Sequence, residues 1–253
     1  MKYLAGINEM PFEAVGKEVS IDVLRKNIEA GGAYLLRDAV DPGLVQRLKI
    51  YLASIGSNSF PNYEPIEIGA ANSHRINYWD ERSYVKGCFH QFNFYPWNQD
   101  IYNLFRHFRE IFRLRNLING LGADQYIDWQ ADAPVVPRLS VQFYPKSVGA
   151  LKTHIDPSGF HQLCVPTLVM SEFGEDFRSG GFYLMGSESE RVMVDPKASV
   201  GDLLLINAQT PHGVETIDED SGEDWMSFEG RWSTLFAMNK VVGGREIDDS
   251  VEV

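Results

Sequence analysis

The chain is poor in cysteine, in positive charge and in long apolar runs, and each shortage argues against a class of function. Its two cysteines, Cys88 and Cys164, lie far apart and outside any Cys-x-x-Cys spacing. That speaks against a disulfide framework and against a cysteine-built zinc site. Lysine and arginine number 23 against 35 aspartates and glutamates, a formal net charge of -12, which disfavours nucleic acid and anionic membranes as main partners. No stretch reaches the ~20 apolar residues of a spanning helix. The start, Met1-Lys2-Tyr3-Leu4-Ala5-Gly6, turns polar too soon for a signal peptide. A cytoplasmic monomer or homodimer is expected.

What the chain does have is a globular composition, 44% hydrophobic, with aromatics at 12%. No repeat, low-complexity segment or linker interrupts it, so a single domain over 1–253 is expected. Ser20 caps a predicted helix over 21–30 that Gly31-Gly32 ends, residues 33–36 read as a strand, and Asp41-Pro42 opens a second helix. Residues 57–99 show no period, hold eight aromatics between Tyr78 and Trp97, and read as a long irregular lid. Residues 100–119 carry one apolar helical stripe. From Arg138 the pattern changes to eight short strand-like runs, at 138–144, 149–154, 162–170, 181–185, 190–194, 202–207, 212–216 and 231–238. Glycines and prolines punctuate them. The expected fold is mainly β with packed helices: a jelly-roll, cupin-like double-stranded β-helix over 138–240, preceded by a helical support and lid region over 1–130.

Two short pieces carry chemistry. Thr153-His154-Ile155-Asp156 and Thr210-Pro211-His212-Gly213 together give His-x-Asp…His. Two imidazoles and one carboxylate occupy one face of a metal and leave the opposite positions open, the arrangement suited to Fe(II) oxygen chemistry. In an eight-stranded roll, His154 and Asp156 end the second run and His212 begins the seventh. Antiparallel neighbours bring all three to one mouth of the barrel. His74, His90, His107 and His161 read as structural or surface residues, with His90 and His161 also within the reach of substrate.

At this point the chain resembles the non-haem Fe(II)- and 2-oxoglutarate-dependent dioxygenases, in the phytanoyl-CoA hydroxylase-like or prolyl hydroxylase-like branch. Gln142-Phe143-Tyr144-Pro145 looks like their tyrosine-bearing strand, and Ser179-Gly180-Gly181-Phe182-Tyr183-Leu184 their Gly-Gly turn. The run from Gly201 to Asn207 resembles the strand leading to the distal histidine. Gly230-Arg231-Trp232-Ser233 resembles the closing strand. The resemblance implies Fe(II) on His154, Asp156 and His212, with 2-oxoglutarate as co-substrate and O₂ as oxidant. It implies that Arg231 and Ser233 grip the far carboxylate, helped by Tyr144 and Thr167. Strand alternation independently places Ser233 on the face of Arg231, and a fork of donors suits a buried carboxylate. Arg231 follows His212 by 19 residues, about twice the usual separation in the family. The excess is the acidic segment 218–229, read as a surface loop at the closed end. Arg138 is the alternative cation.

Related halogenases lack the metal-binding carboxylate, so Asp156 favours hydroxylation of a C–H bond. Residues placed near the mouth are Arg75, Asn77, Trp79, Arg82, His90 and Gln91 in the lid. Phe160, His161, Asn207 and Gln209 come from the barrel loops, and Arg138 from the first run. Leu151, Leu163 and Leu235 are expected wall residues. This mixture suits a small polar metabolite or natural-product intermediate. The competing readings are a protein or peptide hydroxylase, which needs an open groove along 57–99, and a non-enzymatic metal-containing cupin-like binding protein.

Overall fold

A computed structural model describes residues 2–64, 66–83, 85–130, 133–158, 161–242, 245–246 and 251–252. The first half holds β1 (Gly6–Pro11), α1 (Ile21–Glu29), β2 (Gly32–Arg37), α2 (Pro42–Asn58), β3 (Ser73–Tyr78), β4 (Gly87–Phe94), α3 (Leu104–His107) and α4 (Arg109–Ile118). The second half holds β5 (Val135–Pro145), β6 (Ala150–Ile155), β7 (Thr167–Val169), β8 (Gly181–Met185), β9 (Arg191–Met193), β10 (Leu203–Leu205), β11 (His212–Glu215) and β12 (Gly230–Val242). Two short strands follow, β13 (Arg245–Glu246) and β14 (Val251–Glu252).

All eight expected strand runs appear, and both early helices start where their caps predict. The Ser20 hydroxyl accepts from the Val23 amide, and the Asp41 carboxylate accepts from the Gly43 and Leu44 amides. The expectation of a helical N-terminal half is corrected: four strands lie before residue 130, two of them inside the segment read as irregular. The physical reason is burial. Every residue of β4 is buried, so polar His90, Gln91 and Asn93 interleave with aromatics and no inside–outside alternation marks the strand. The 100–119 helix is also divided, because Phe108 leaves helical geometry between α3 and α4.

The strands form one sheet in the order β1-β2-β10-β7-β12-β5-β4-β6-β11-β8-β9, with β3 beside β4, β13 beside β12 and β14 beside β6. It curls until its edges approach, and the Leu4 amide donates to the Met185 carbonyl 2.9 Å away. The result is a mostly β architecture consistent with a jelly-roll core.

Alternation along the strands feeds two cores. Leu36, Val141, Phe143, Leu203, Leu205 and Phe236 face the helices, where Leu24, Leu48, Phe108 and Phe112 cover them. Leu35, Phe89, Tyr144, Leu151, Phe182, Leu204 and Val214 face the inside of the curl. The inner face is where polar side chains also gather.

Candidate metal centre and its cavity

His154 and His212 are directly opposite each other on β6 and β11. Cross-strand partners project to the same face, which brings the ring centroids to 4.3 Å. The register then slips by one residue between His212 and Val214, a bulge beside the site. Gly213 permits it: a Cβ there would stand 2.5 Å from the Tyr183 hydroxyl and 2.8 Å from the Leu151 carbonyl. Asp156 follows the end of β6, and its amide donates to Ala208 while Gln209 Nε2 donates to its carbonyl at 3.0 Å.

One ligand atom from each of the three residues lies within 4.8 Å of the others. The Asp156 oxygens stand 3.6 Å from His154 Nε2 and 3.7 Å from His212 Nε2, too far for hydrogen bonds. The three groups therefore face a common point. Each Nδ1 lies against a backbone carbonyl, Lys152 at 3.0 Å and Thr210 at 2.9 Å. A carbonyl only accepts, so Nδ1 carries the hydrogen and both Nε2 lone pairs are directed at the shared space. Burial, with His154 beside it, brings His212 down to about 4. Burial acts to raise the Asp156 carboxyl, but His212, His154 and Arg138 outweigh it and lower the group. Two imidazole Nε2 lone pairs and one carboxylate directed at a common point fit a hard-to-borderline divalent ion such as Fe(II).

The cluster opens onto a cavity of about 310 Å³, the small end of the ~300–1,000 Å³ range of ligand sites. The other end of the cavity holds a guanidinium, that of Arg231. Arg231 opens β12 opposite Tyr144, and Ser233 shares its face, accepting from Nη1 at 3.2 Å. Arg231 lies between the rings of Tyr144 and Phe182, 5.8 and 5.5 Å from their centroids. The Tyr144 hydroxyl donates to Gln142 Oε1 at 2.8 Å, and burial pushes its pKa up. Thr167 lines the same cavity.

Asp195 is the residue that sequence reading missed. It is buried and grips Arg231 at two points, Nε to Oδ2 at 2.7 Å and Nη2 to Oδ1 at 3.0 Å. The Phe182 amide also donates to Oδ2. The close approach explains Gly181, where a Cβ would stand 2.5 Å from Asp195 Oδ2 and φ is +110°. An aspartate 36 residues before its arginine carries no local signal.

No protein-family profile matches the sequence, and no curated protein matches it either. Solved structures do match. A Pseudomonas putida prolyl-4-hydroxylase aligns over 85% of this chain and 96% of its own, at 13% identity and a TM-score of 0.54. JOX2, solved in complex with 2OG, Fe and JA, aligns over 96% and 78%, at 13% identity and 0.55. A Trichoplax adhaerens prolyl hydroxylase, solved with a hypoxia inducible factor peptide fragment, aligns over 86% and 87%, at 15% identity and 0.51. The chain has the fold of the 2-oxoglutarate/Fe(II) oxygenases. Within that fold it carries a His-Asp-His cluster of its own.

The remaining expected residues divide by the face their strand presents. Gln91, Arg75 and Arg138 line the cavity, as do Leu151 and Leu235. His90 lies on the opposite face of β4, stacked on His74 and packed against Phe143, Trp225 and Phe228, so it does not reach the cavity. Asn77 is buried with its carbonyl oxygen accepting from the Asp80 amide, and Arg82 pairs with Asp80 while lying over Tyr63. Trp79 is part-exposed in an outer hollow beside Lys152 and Arg191. His161, Asn207 and Gln209 border another surface hollow, with Asn207 donating to the Ile28 carbonyl. Leu163 packs against the helix-side core. Phe160 lies outside the described residues. The segment 218–229 is more than a surface loop, because Phe228 packs on Phe143 and Trp225 on Tyr78 and His90.

Proposed function

We propose that this protein is an Fe(II)- and 2-oxoglutarate-dependent oxygenase that hydroxylates a C–H bond of a small polar molecule. The observation carrying the reading is one cavity with the His154–Asp156–His212 donors at one end and the Arg231–Ser233 pair at the other. Bound there, ferrous iron with 2-oxoglutarate and O₂ supplies the oxidising power, and the co-substrate leaves as succinate and CO₂. His154, Asp156 and His212 hold the ion, with the tautomers of the two imidazoles set by the Lys152 and Thr210 carbonyls. Arg231 and Ser233 receive the far carboxylate, and Asp195 fixes the guanidinium so that its Nη1 edge is the one presented. Tyr144 and Phe182 wall the guanidinium off and keep water from competing for it.

A small substrate is favoured because the lid residues Tyr63, Ile66, Ser83 and Val85 line the same cavity as the metal cluster. A lid that shares the cavity supports a closed site more than a peptide groove. The barrel reads as a double-stranded β-helix, with β10-β7-β12-β5 as one wall and β6-β11-β8-β9 as the other. Two free, buried thiols suit a reducing compartment.

The test is anaerobic addition of Fe(II) and 2-oxoglutarate, reading the weak visible metal-to-ligand charge-transfer band. The band is expected in the wild type and is expected to need much more 2-oxoglutarate in Arg231→Ala. Iron-loaded wild type with no band, or an unchanged titration in the variant, counts against the reading.

A further inference from the structure

Among the described cavity-lining arginines, Arg138 has no hydrogen bond, ion pair or ring contact to a described residue. Arg231 is held by Asp195, and Arg75 lies over the Tyr63 ring. Arg138 makes no hydrogen bond and no ion pair to a described residue, the Asp156 carboxylate being only within electrostatic reach, and its Nε is buried and unmatched. An ionised guanidinium kept unpaired in a part-buried cavity opposes folding. Such a departure from local consistency is expected where a ligand completes the arrangement.

Its position identifies which ligand. Arg138 shares a face of β5 with Ser140, Gln142 and Tyr144 by alternation. It precedes Tyr144 by six residues, about 20 Å along the strand. It therefore lies towards the other end of the strand from Arg231, and lines the same cavity as Asp156. The neighbouring wall is a partly satisfied polar network. Gln91 Nε2 donates to Ser140 Oγ at 2.7 Å, and Ser140 Oγ donates to Asn93 Oδ1 at 3.1 Å. The other end of the Gln91 amide is buried without a partner. A planar fork of donors matches a carboxylate, and an amide oxygen awaiting a donor matches a hydroxyl or an N–H group.

We propose that the substrate is a small carboxylic acid bearing a second hydrogen-bonding group, with Arg138 binding its carboxylate and Gln91 its other polar group. This rests on the oxygenase reading of the cavity. The metal-binding carboxylate of 2-oxoglutarate is the other source of the same chemistry at this end, and the experiment separates the two.

The variant is Arg138→Met in the full chain, which keeps the stem and removes the charge. Its thermal midpoint without added ligand is expected to rise above wild type; a fall makes Arg138 a structural residue and overturns the proposal. Titration of 2-oxoglutarate into the Fe(II)-loaded protein is expected to give the same charge-transfer midpoint within about twofold, since no co-substrate contact is lost. A large weakening assigns Arg138 to the co-substrate and overturns the substrate assignment. A band absent from wild type sinks the oxygenase reading itself, a result distinct from any effect of Arg138. Metal-free wild type is then screened by thermal shift against 4-hydroxyphenylacetate, 3-hydroxybutyrate and pyroglutamate, each beside its primary amide. At least one acid is expected to stabilise the protein, its amide to bind at least about tenfold more weakly, and Arg138→Met to erase the difference. No response to any acid, equal response to an amide, or an acid preference surviving in Arg138→Met overturns the proposal.

Discussion

Arg231 and Asp195 form a two-point ion pair, both residues buried, and the side of the guanidinium left over is the one that meets Ser233 in the cavity. The pair neutralises itself, so the closed end of the cavity is polar and directional rather than strongly cationic. Orientation is the property that the aspartate adds.

Removing that orientation has a stability cost. Asp195→Ala leaves a buried guanidinium unpaired and strands the Phe182 amide, so it is expected to lower unfolding free energy by roughly 3–5 kcal/mol. Urea denaturation checks this. A loss below about 1 kcal/mol shows the pair to be replaceable by water.

Gly181→Ala is expected to strain the same contact from the other side. The added methyl collides with Asp195 Oδ2 and the backbone φ of +110° disfavours any side chain. A lower thermal midpoint and a weaker 2-oxoglutarate titration are expected together, with Gly69→Ala, whose Cβ meets nothing within 4 Å, as the control for strain alone.

His154→Ala, Asp156→Ala and His212→Ala each remove one of three converging donors. Each is expected to abolish iron-dependent succinate formation while circular dichroism stays that of the wild type. Ordinary turnover in any of them refutes the ligand set. Chelation of the wild type is expected to stop turnover, and added Fe(II) to restore it.

Gln209 touches the centre only through the Asp156 carbonyl. Gln209→Ala is expected to weaken metal affinity by roughly tenfold, as loss of an outer hydrogen bond to a ligand does. The readout is a competition titration with a colorimetric chelator. The half-buried position predicts little change in thermal midpoint.

Acid is expected to destabilise the fold through His74 and His90. Burial holds His74 down at about 4, and burial together with His74 holds His90 at about 3, against an ordinary 6.5. Below about 6.5 the unfolded chain takes up protons that the folded pair refuses, so stability is full above that pH and declines as pH falls toward 4 and 3. His90→Phe, placed among Phe143, Phe228 and Trp225, is expected to flatten the acid limb of thermal midpoint against pH. An unchanged slope assigns acid sensitivity elsewhere.

Much of this molecule is legible along the chain. The caps at Ser20 and Asp41 are local hydrogen bonds, and the eight strand runs have local turn signals between them. β4 escaped because a strand enclosed on both faces loses its alternation, and β3 because its buried positions are the polar His74 and Asn77. His90 and Gln91 are neighbours with equal claims in the sequence, yet one joins an aromatic stack and the other the cavity wall. Only the register of β4 against β5 tells them apart.

The sequence by itself determined the strand periodicity, the helix caps and the order His154, Asp156, His212, since each depends on residues close together or on a short spacing. Tertiary structure alone decided that Asp195 binds Arg231, that Phe228 anchors the acidic segment, and that Arg138 and Asp156 line one cavity. Those are pairings across tens of residues, and a chain records them only once strand register has chosen which side chains turn toward the same space.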